Sequence, residues 1–288
     1  MSNNLKTKVM VLIMATFWWP GFILAASNAP ETIKTAVSSL NDSIDRLVEA
    51  KDEITSTAKK EDKPAIDAFY EILKLSFVEV DDLIKRLDSL NNGNLDADEL
   101  LIKERFLNDL KNYQNYYRNI ENDIKGGLSP EELRSLAQDL KDWRKDHQPK
   151  LQKIFDFLLI DQSENLYKVA RNRWDKISKD LGKIKKAGFP INNLQILSEK
   201  SKTNVDQANH FTAIAAEEFI KTWKLENSTS TDENSKEIMP SVVSSSKKDE
   251  RPANINSVRI NLQKSLINIK TAYQVFFEMN NIVKTLLK

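Results

Sequence analysis

The stretch NINSVRINLQKSLINIKTAYQVFFEMNNIVKTLLK, residues 254–288, indicates the fold class. Its inward-facing residues recur at alternating intervals of three and four, at Ile255, Val258, Leu262, Ser265, Ile269, Ala272, Phe276, Met279, Val283 and Leu286. This spacing keeps one stripe of an α-helix against a partner helix and is typical of coiled coils. We therefore predict a C-terminal amphipathic helix over residues 254–288 that packs either within the chain or against a second copy.

Similar stripes occur along the preceding 200 residues or so, which points to long helices throughout. They begin at Ile33, Ile66, Leu100, Leu133, Leu166 and Leu194. The chain has only 6 glycines and 8 prolines in 288 residues, so few turns interrupt these stripes. We predict an all-α fold, an elongated antiparallel bundle of about six or seven long helices.

Two features of this bundle stay open. Residues 31–127 and 128–226 form either two tandem three-helix units, followed by the C-terminal helix, or parts of one continuous bundle. Pro149 predicts a kink in the helix that begins near Ser129. Residues 161–164 favour a new helix cap, and therefore a break, although periodicity also allows the helix to continue.

The N-terminal residues have the layout of a secretory signal peptide. Lys6 and Lys8 precede the apolar run VMVLIMATFWW, and Ala25 and Ala26 supply a cleavage point. We predict a signal peptide over residues 1–26 and a secreted or periplasmic protein with no membrane span in its mature chain. The alternative is an uncleaved signal that anchors the protein in a membrane.

The composition changes again near the C-terminus. Residues 227–253 are rich in Ser and Thr and contain Pro240 and Pro252, so we predict a disordered linker between a helical body, 27–226, and the last helix.

Composition excludes several classes of function. The chain has 43 basic and 42 acidic residues and a net charge of +1, which provides no global field to attract nucleic acid or an anionic membrane. It has no cysteine, and its two histidines, His147 and His210, are too far apart for a His-x-x-x-His zinc motif. No spacing indicates a nucleophile with its acid and base. We predict a protein that is not an enzyme and needs no cofactor.

One stretch, DSLNNGNLDADE, residues 88–99, resembles an EF-hand calcium loop. Asp88, Asn92, Asn94, Asp96 and Glu99 stand at loop positions 1, 5, 7, 9 and 12, and Gly93 stands at position 6. Leu90 at position 3 offers no ligand, so the resemblance implies a weak site at most. The alternative is an ordinary helix-to-helix connection, closed by a cap at Asp96 and a Glu three residues later.

The stretches LSPEELRSLAQDLKDWR, residues 128–144, and RWDKISKDLGKIKKAGFP, residues 173–190, are similar to a loose group of exported, long-helix bacterial proteins without assigned activity. That resemblance implies an extracytoplasmic location. Trp143, Trp174 and Trp223 lie on or beside helical stripes, and we interpret them as core anchors rather than ligand-stacking residues.

The sequence alone assigns no activity. It favours a non-enzymatic, exported helical scaffold or protein-binding protein, whose partner is another protein or a second copy bound through the C-terminal helix. A calcium-responsive extracellular module is the alternative.

Overall fold

The computed structural model describes residues 63–228 and 253–286, and all regular secondary structure in these residues is helical. The elements are α1 (Lys63–Ser89), a 3₁₀ turn (Asn92–Asn94), α2 (Ala97–Lys125), α3 (Pro130–Lys186), α4 (Asn192–Ser228) and α5 (Ala253–Leu286). The all-α prediction is confirmed for this part of the chain. The predicted signal peptide, the stripe that begins at Ile33 and all but the edges of the predicted linker lie outside the described residues.

Helix α3 is longer than the sequence indicates. It begins at the predicted capping box, where the Ser129 N–H donates to Glu132 Oε2 over 2.7 Å and the Glu132 N–H donates to Ser129 Oγ over 3.3 Å. It then continues for 57 residues through Pro149. The predicted break at residues 161–164 is wrong, because these residues lie inside the helix.

The chain divides into two compact units, with the boundary at Phe155 and Asp156, inside α3. The sequence left open whether residues 31–127 and 128–226 form two tandem units or one continuous bundle. The division at residues 155 and 156 differs from the tandem arrangement, and the C-terminal helix is a member of the second unit.

The N-terminal unit contains α1, α2 and α3 up to Phe155. Helices α1 and α2 run antiparallel, because Lys103 near the start of α2 contacts Asn92 beyond the end of α1 and Gln114 further along contacts Asp81. The core is made of side chains with almost no exposure, among them Phe69, Leu83, Ile102, Leu110, Tyr117, Leu140 and Ile154. On α2, Ile102 and Phe106 are buried, whereas the predicted stripe residues Leu100 and Leu107 are only half-buried.

The C-terminal unit contains α3 from Asp156, together with α4 and α5. Its core joins all three helices and includes Ala170, Ile177, Leu194, Val205, Ala208, Ile269, Phe276 and Met279. The predicted stripe of α5 is confirmed from Val258 to Val283, and in this structure the helix packs within its own chain. In the described residues, no helix combines the length and apolar character that crossing a bilayer requires.

Candidate functional site

The predicted calcium ligands lie in the connection between α1 and α2. Asp88 is in the last turn of α1, Asn92 and Asn94 belong to the 3₁₀ turn, Asp96 is the N-cap of α2, and Glu99 lies in its first turn. All except Glu99 are exposed, and Glu99 is half-buried. The structure therefore brings the five residues into one short segment, as their spacing requires.

Two of these residues bond to the backbone of the connection. The Glu99 N–H donates to Asp96 Oδ1 over 2.8 Å, and the Asp96 N–H donates to Glu99 Oε2 over 2.9 Å. This is a complete capping box, which satisfies two backbone donors at the start of α2. The alternative interpretation of the loop as a capped helix connection is therefore confirmed in its local geometry.

Lys103 is the residue of this site that the sequence analysis missed. Its side chain extends back from α2, and its ammonium donates to the Leu90 carbonyl over 3.1 Å and to Asn92 Oδ1 over 2.7 Å. Lys103 is only 7% exposed, so a buried positive charge already binds two oxygens of the loop. The sequence signal that could have identified Lys103 is its position on the α2 stripe, three residues after Leu100 and four before Leu107.

Within the described residues, no group of three or more acidic or histidine side chains is arranged to hold a metal ion. Calcium binding at Asp88, Asn92, Asn94, Asp96 and Glu99 stays a prediction. An ion bound there would compete with the Lys103 ammonium for Asn92 and with the capping box for Asp96 and Glu99.

A buried ion pair lies in the core of the N-terminal unit. The Arg144 guanidinium on α3 donates to Glu79 Oε2 on α1 over 3.0 Å, and each side chain is only 7% exposed. Arg144 also donates to the Tyr117 hydroxyl over 3.1 Å and to Ser76 Oγ over 3.4 Å. Burial raises the pKa of Tyr117 to about 12, so this hydroxyl stays protonated at neutral pH. The cluster joins all three helices of the unit.

Aromatic rings surround Trp143 beside this ion pair. The Trp143 ring stacks on Tyr116 at 4.2 Å between ring centroids and on His147 at 4.1 Å. The Tyr113 and Tyr117 rings pack against the indole in T-shaped, edge-to-face arrangements. Because its neighbours in the same chain occupy these positions, Trp143 is not free to stack on a planar ligand. Its arrangement agrees with the interpretation as a core anchor.

His147 and Tyr113 are the polar members of this aromatic cluster. His147 Nδ1 lies 2.7 Å from the Trp143 carbonyl, which can only accept, so Nδ1 carries the hydrogen. The Tyr113 hydroxyl is buried and has no hydrogen-bond partner in the described part of the chain. Burial is also the main cause of the raised pKa of Tyr113.

The C-terminal unit has a buried polar layer of its own. Three hydroxyls meet in its core, Ser163 from α3, Thr212 from α4 and Ser265 from α5, at mutual oxygen distances of 2.8–3.0 Å. Each of the three residues is at most 2% exposed. Thr212 also donates to the Ala208 carbonyl over 3.0 Å, so these hydroxyls are engaged with one another and with the backbone. The layer links all three helices at one level.

Charged and amide groups extend these contacts at the start of α5. Arg259 Nε donates to Asp156 Oδ1 over 2.9 Å, and Asn261 donates to Glu218 over 3.2 Å. The Asp156 side chain is 3% exposed, and desolvation raises its pKa, although the hydrogen bond and charge of Arg259 act in the opposite direction.

Comparison with known proteins adds no relative to this picture. No family model, curated protein or solved structure matches the chain.

Proposed function

We propose that the protein is a non-enzymatic, exported helical scaffold or protein-binding protein. The observation that carries this proposal is that the polar clusters in the cores of the two units are buried and bonded within the chain. Arg144 with Glu79, and Ser163 with Thr212 and Ser265, are buried and bonded to partners in neighbouring helices. Groups held in this way connect helices and are closed to a substrate, which leaves the outer faces of the helices as the surfaces available for recognition.

The finer architecture belongs to the same proposal. Five long helices are described, and the stripe that begins at Ile33, outside the described residues, would bring the number to six, within the predicted six or seven. An elongated antiparallel bundle of this kind offers long faces for a protein partner. Export follows from the signal-peptide pattern of residues 1–26.

Site-specific photo-crosslinking in the native host tests the proposal. A photoreactive phenylalanine analogue would replace Leu101 or Ile196, which are 54% and 68% exposed. We expect discrete crosslinked adducts at one or both positions, and no adducts when residues 1–26 are deleted so that the protein stays in the cytoplasm. The analogue at Lys111, an exposed polar position on α2, is the control for random collisions. Adducts that are equally abundant at Lys111, or that persist without export, would contradict the proposal.

A further inference from the structure

The outward face of α5 combines exposed apolar and basic residues in a way that no other described helix does. Ten large apolar side chains are exposed in the described residues, and four of them lie on this helix. These four are Ile260, Leu266, Ile267 and Phe277, with exposed fractions of 43–55%. The other six are distributed over the other four helices.

The charge of α5 is also one-sided. It carries four basic residues, Arg259, Lys264, Lys270 and Lys284, and one acidic residue, Glu278. By contrast, α1, α2 and α4 each carry more acidic than basic residues. Helix α3 also carries a basic excess, with 14 basic and 10 acidic residues, but Val169 is its single exposed large apolar side chain. The three lysines are exposed, and the Lys264 ammonium also lies over the Phe211 ring of α4, 5.3 Å from the ring centroid. The net charge of +1 for the whole chain does not reveal this local excess of basic residues on α5.

The helical spacing arranges these residues in two rows on the exposed side of α5. Leu266, Lys270, Phe277 and Lys284 follow one another at intervals of four, seven and seven, so they form one row. Ile260, Lys264 and Ile267 form the second row at intervals of four and three. The two rows flank a strip of exposed amide side chains, Gln263, Gln274 and Asn281, which lies opposite the buried stripe of Ser265, Ala272 and Phe276. Apolar side chains alternate with lysines in each row, and Glu278, which is in line with Ile260, lies further along the second row.

We propose that this outward face of α5 docks the protein on an anionic lipid surface, which goes beyond the proposed function. The four apolar side chains enter the boundary between head groups and acyl chains. The lysine stems lie beside them while the ammonium groups reach the lipid phosphates. A flat surface contacts both rows at once, with the amides between them at the level of the polar head groups, whereas a partner helix uses one narrow seam. Because each apolar side chain is already about half covered, insertion is shallow and binding depends strongly on charge.

Vesicle co-sedimentation with the protein purified after export tests this proposal. We expect binding to vesicles of phosphatidylcholine and phosphatidylglycerol in equal parts, little binding to phosphatidylcholine alone, and loss of binding in high salt. Each lysine near an anionic surface contributes about a factor of 5 to affinity, so Lys264→Glu with Lys270→Glu should weaken binding roughly 30-fold or more. The neutral pair Lys264→Gln with Lys270→Gln should lose less than the charge-reversed pair.

The matched control changes the same charge on another helix of the unit. Lys200 and Lys221 are exposed on α4, and Lys200→Glu with Lys221→Glu should weaken binding only a few-fold at most. A second pair of variants tests the apolar contribution. Ile260→Gln with Ile267→Gln should reduce binding, whereas Ile196→Gln, at the most exposed apolar position, should not.

The outcomes that would overturn the proposal are distinct. Failure of the wild-type protein to bind the anionic vesicles would overturn it. An equal loss in the α4 control would show that only net charge matters. Binding by lysines without any contribution from Ile260 and Ile267 would indicate a soluble polyanion or an acidic protein as the ligand rather than a bilayer.

Discussion

Replacing Arg144 with methionine should destabilise the N-terminal unit by about 3–5 kcal/mol, the cost of leaving one partner of a buried ion pair without its counter-charge. Glu79 is 7% exposed and would keep a carboxylate in the core without its cation. The hydroxyls of Tyr117 and Ser76 would also lose a donor. The measurement is urea unfolding at neutral pH, followed by far-UV circular dichroism and by the near-UV signal of the ring stack at Trp143.

The double variant Glu79→Gln with Arg144→Met separates charge burial from packing. It leaves no uncompensated charge, so we expect it to be less destabilised than the sum of the single variants. Lys74 and Glu71 provide the surface control, because both are 70% exposed and their ion pair is 3.5 Å long. Lys74→Met should change stability by less than about 1 kcal/mol. Strictly additive losses, or an Arg144→Met effect as small as the control, would refute the reasoning.

Three further predictions concern the α1–α2 connection and the C-terminal unit. Lys103→Met should lower stability by about 1–2 kcal/mol in thermal melts. Calcium should raise the melting temperature of this variant more than that of wild type, because the ammonium no longer competes for the loop oxygens. An equal rise in both proteins would contradict that competition. Thr212→Val should cost about 1–2 kcal/mol in wild type but less in a Ser265→Ala background, since fewer hydroxyls then lose a partner. Because the pKa of Asp156 is raised from 3.8, folding favours its protonated form, so the contribution of Asp156 to stability falls as pH rises from about 4 through that raised pKa. Asp156→Asn should remove this slope in urea melts from pH 3 to 7 without destabilising the protein at pH 7, and an unchanged slope would contradict the assignment.

Sequence patterns correctly predicted the features that depend on interactions between residues close together in the chain. The stripe of α5 and the capping boxes at Ser129 and Asp96 are present as expected, because helical spacing and side-chain-to-backbone bonds involve residues only a few positions apart. The division of the bundle depends on contacts between distant residues, and the sequence left it open. The compact units divide inside an uninterrupted helix, between Phe155 and Asp156.

The predicted break in α3 shows how capping residues mislead when their partners are distant. Asp161 accepts a hydrogen bond from Asn165 within the helix, over 2.9 Å. Ser163 bonds to Thr212 and Ser265, which are 49 and 102 residues further along the chain. Residues that favour a helix start in isolation are therefore satisfied inside a continuous helix, and no local pattern reveals this.

The buried charges were equally inaccessible to sequence reasoning. Arg144 and Glu79 are 65 residues apart, and nothing in the spacing around either one identifies the other. Lys103 is different, because a lysine on an apolar stripe is a visible exception that calls for an acceptor nearby. Its acceptors, Leu90 and Asn92, lie in the very loop that resembles a calcium site. The residues of the loop alone give no sign of this competing cation, because Lys103 lies four residues beyond Glu99.

The polar layer of the C-terminal unit has a consequence for the outward face of α5. A purely apolar stripe of heptad spacing tolerates sliding by one repeat, because each apolar side chain finds a similar neighbour. Ser265 removes that freedom, since any other register would bury its hydroxyl away from Ser163 and Thr212. Arg259, paired with Asp156, fixes the same register near the start of the helix. The rows that contain Ile260 and Leu266 are therefore held at one position along the axis of α5, so their lysines and apolar side chains keep fixed places relative to α3 and α4.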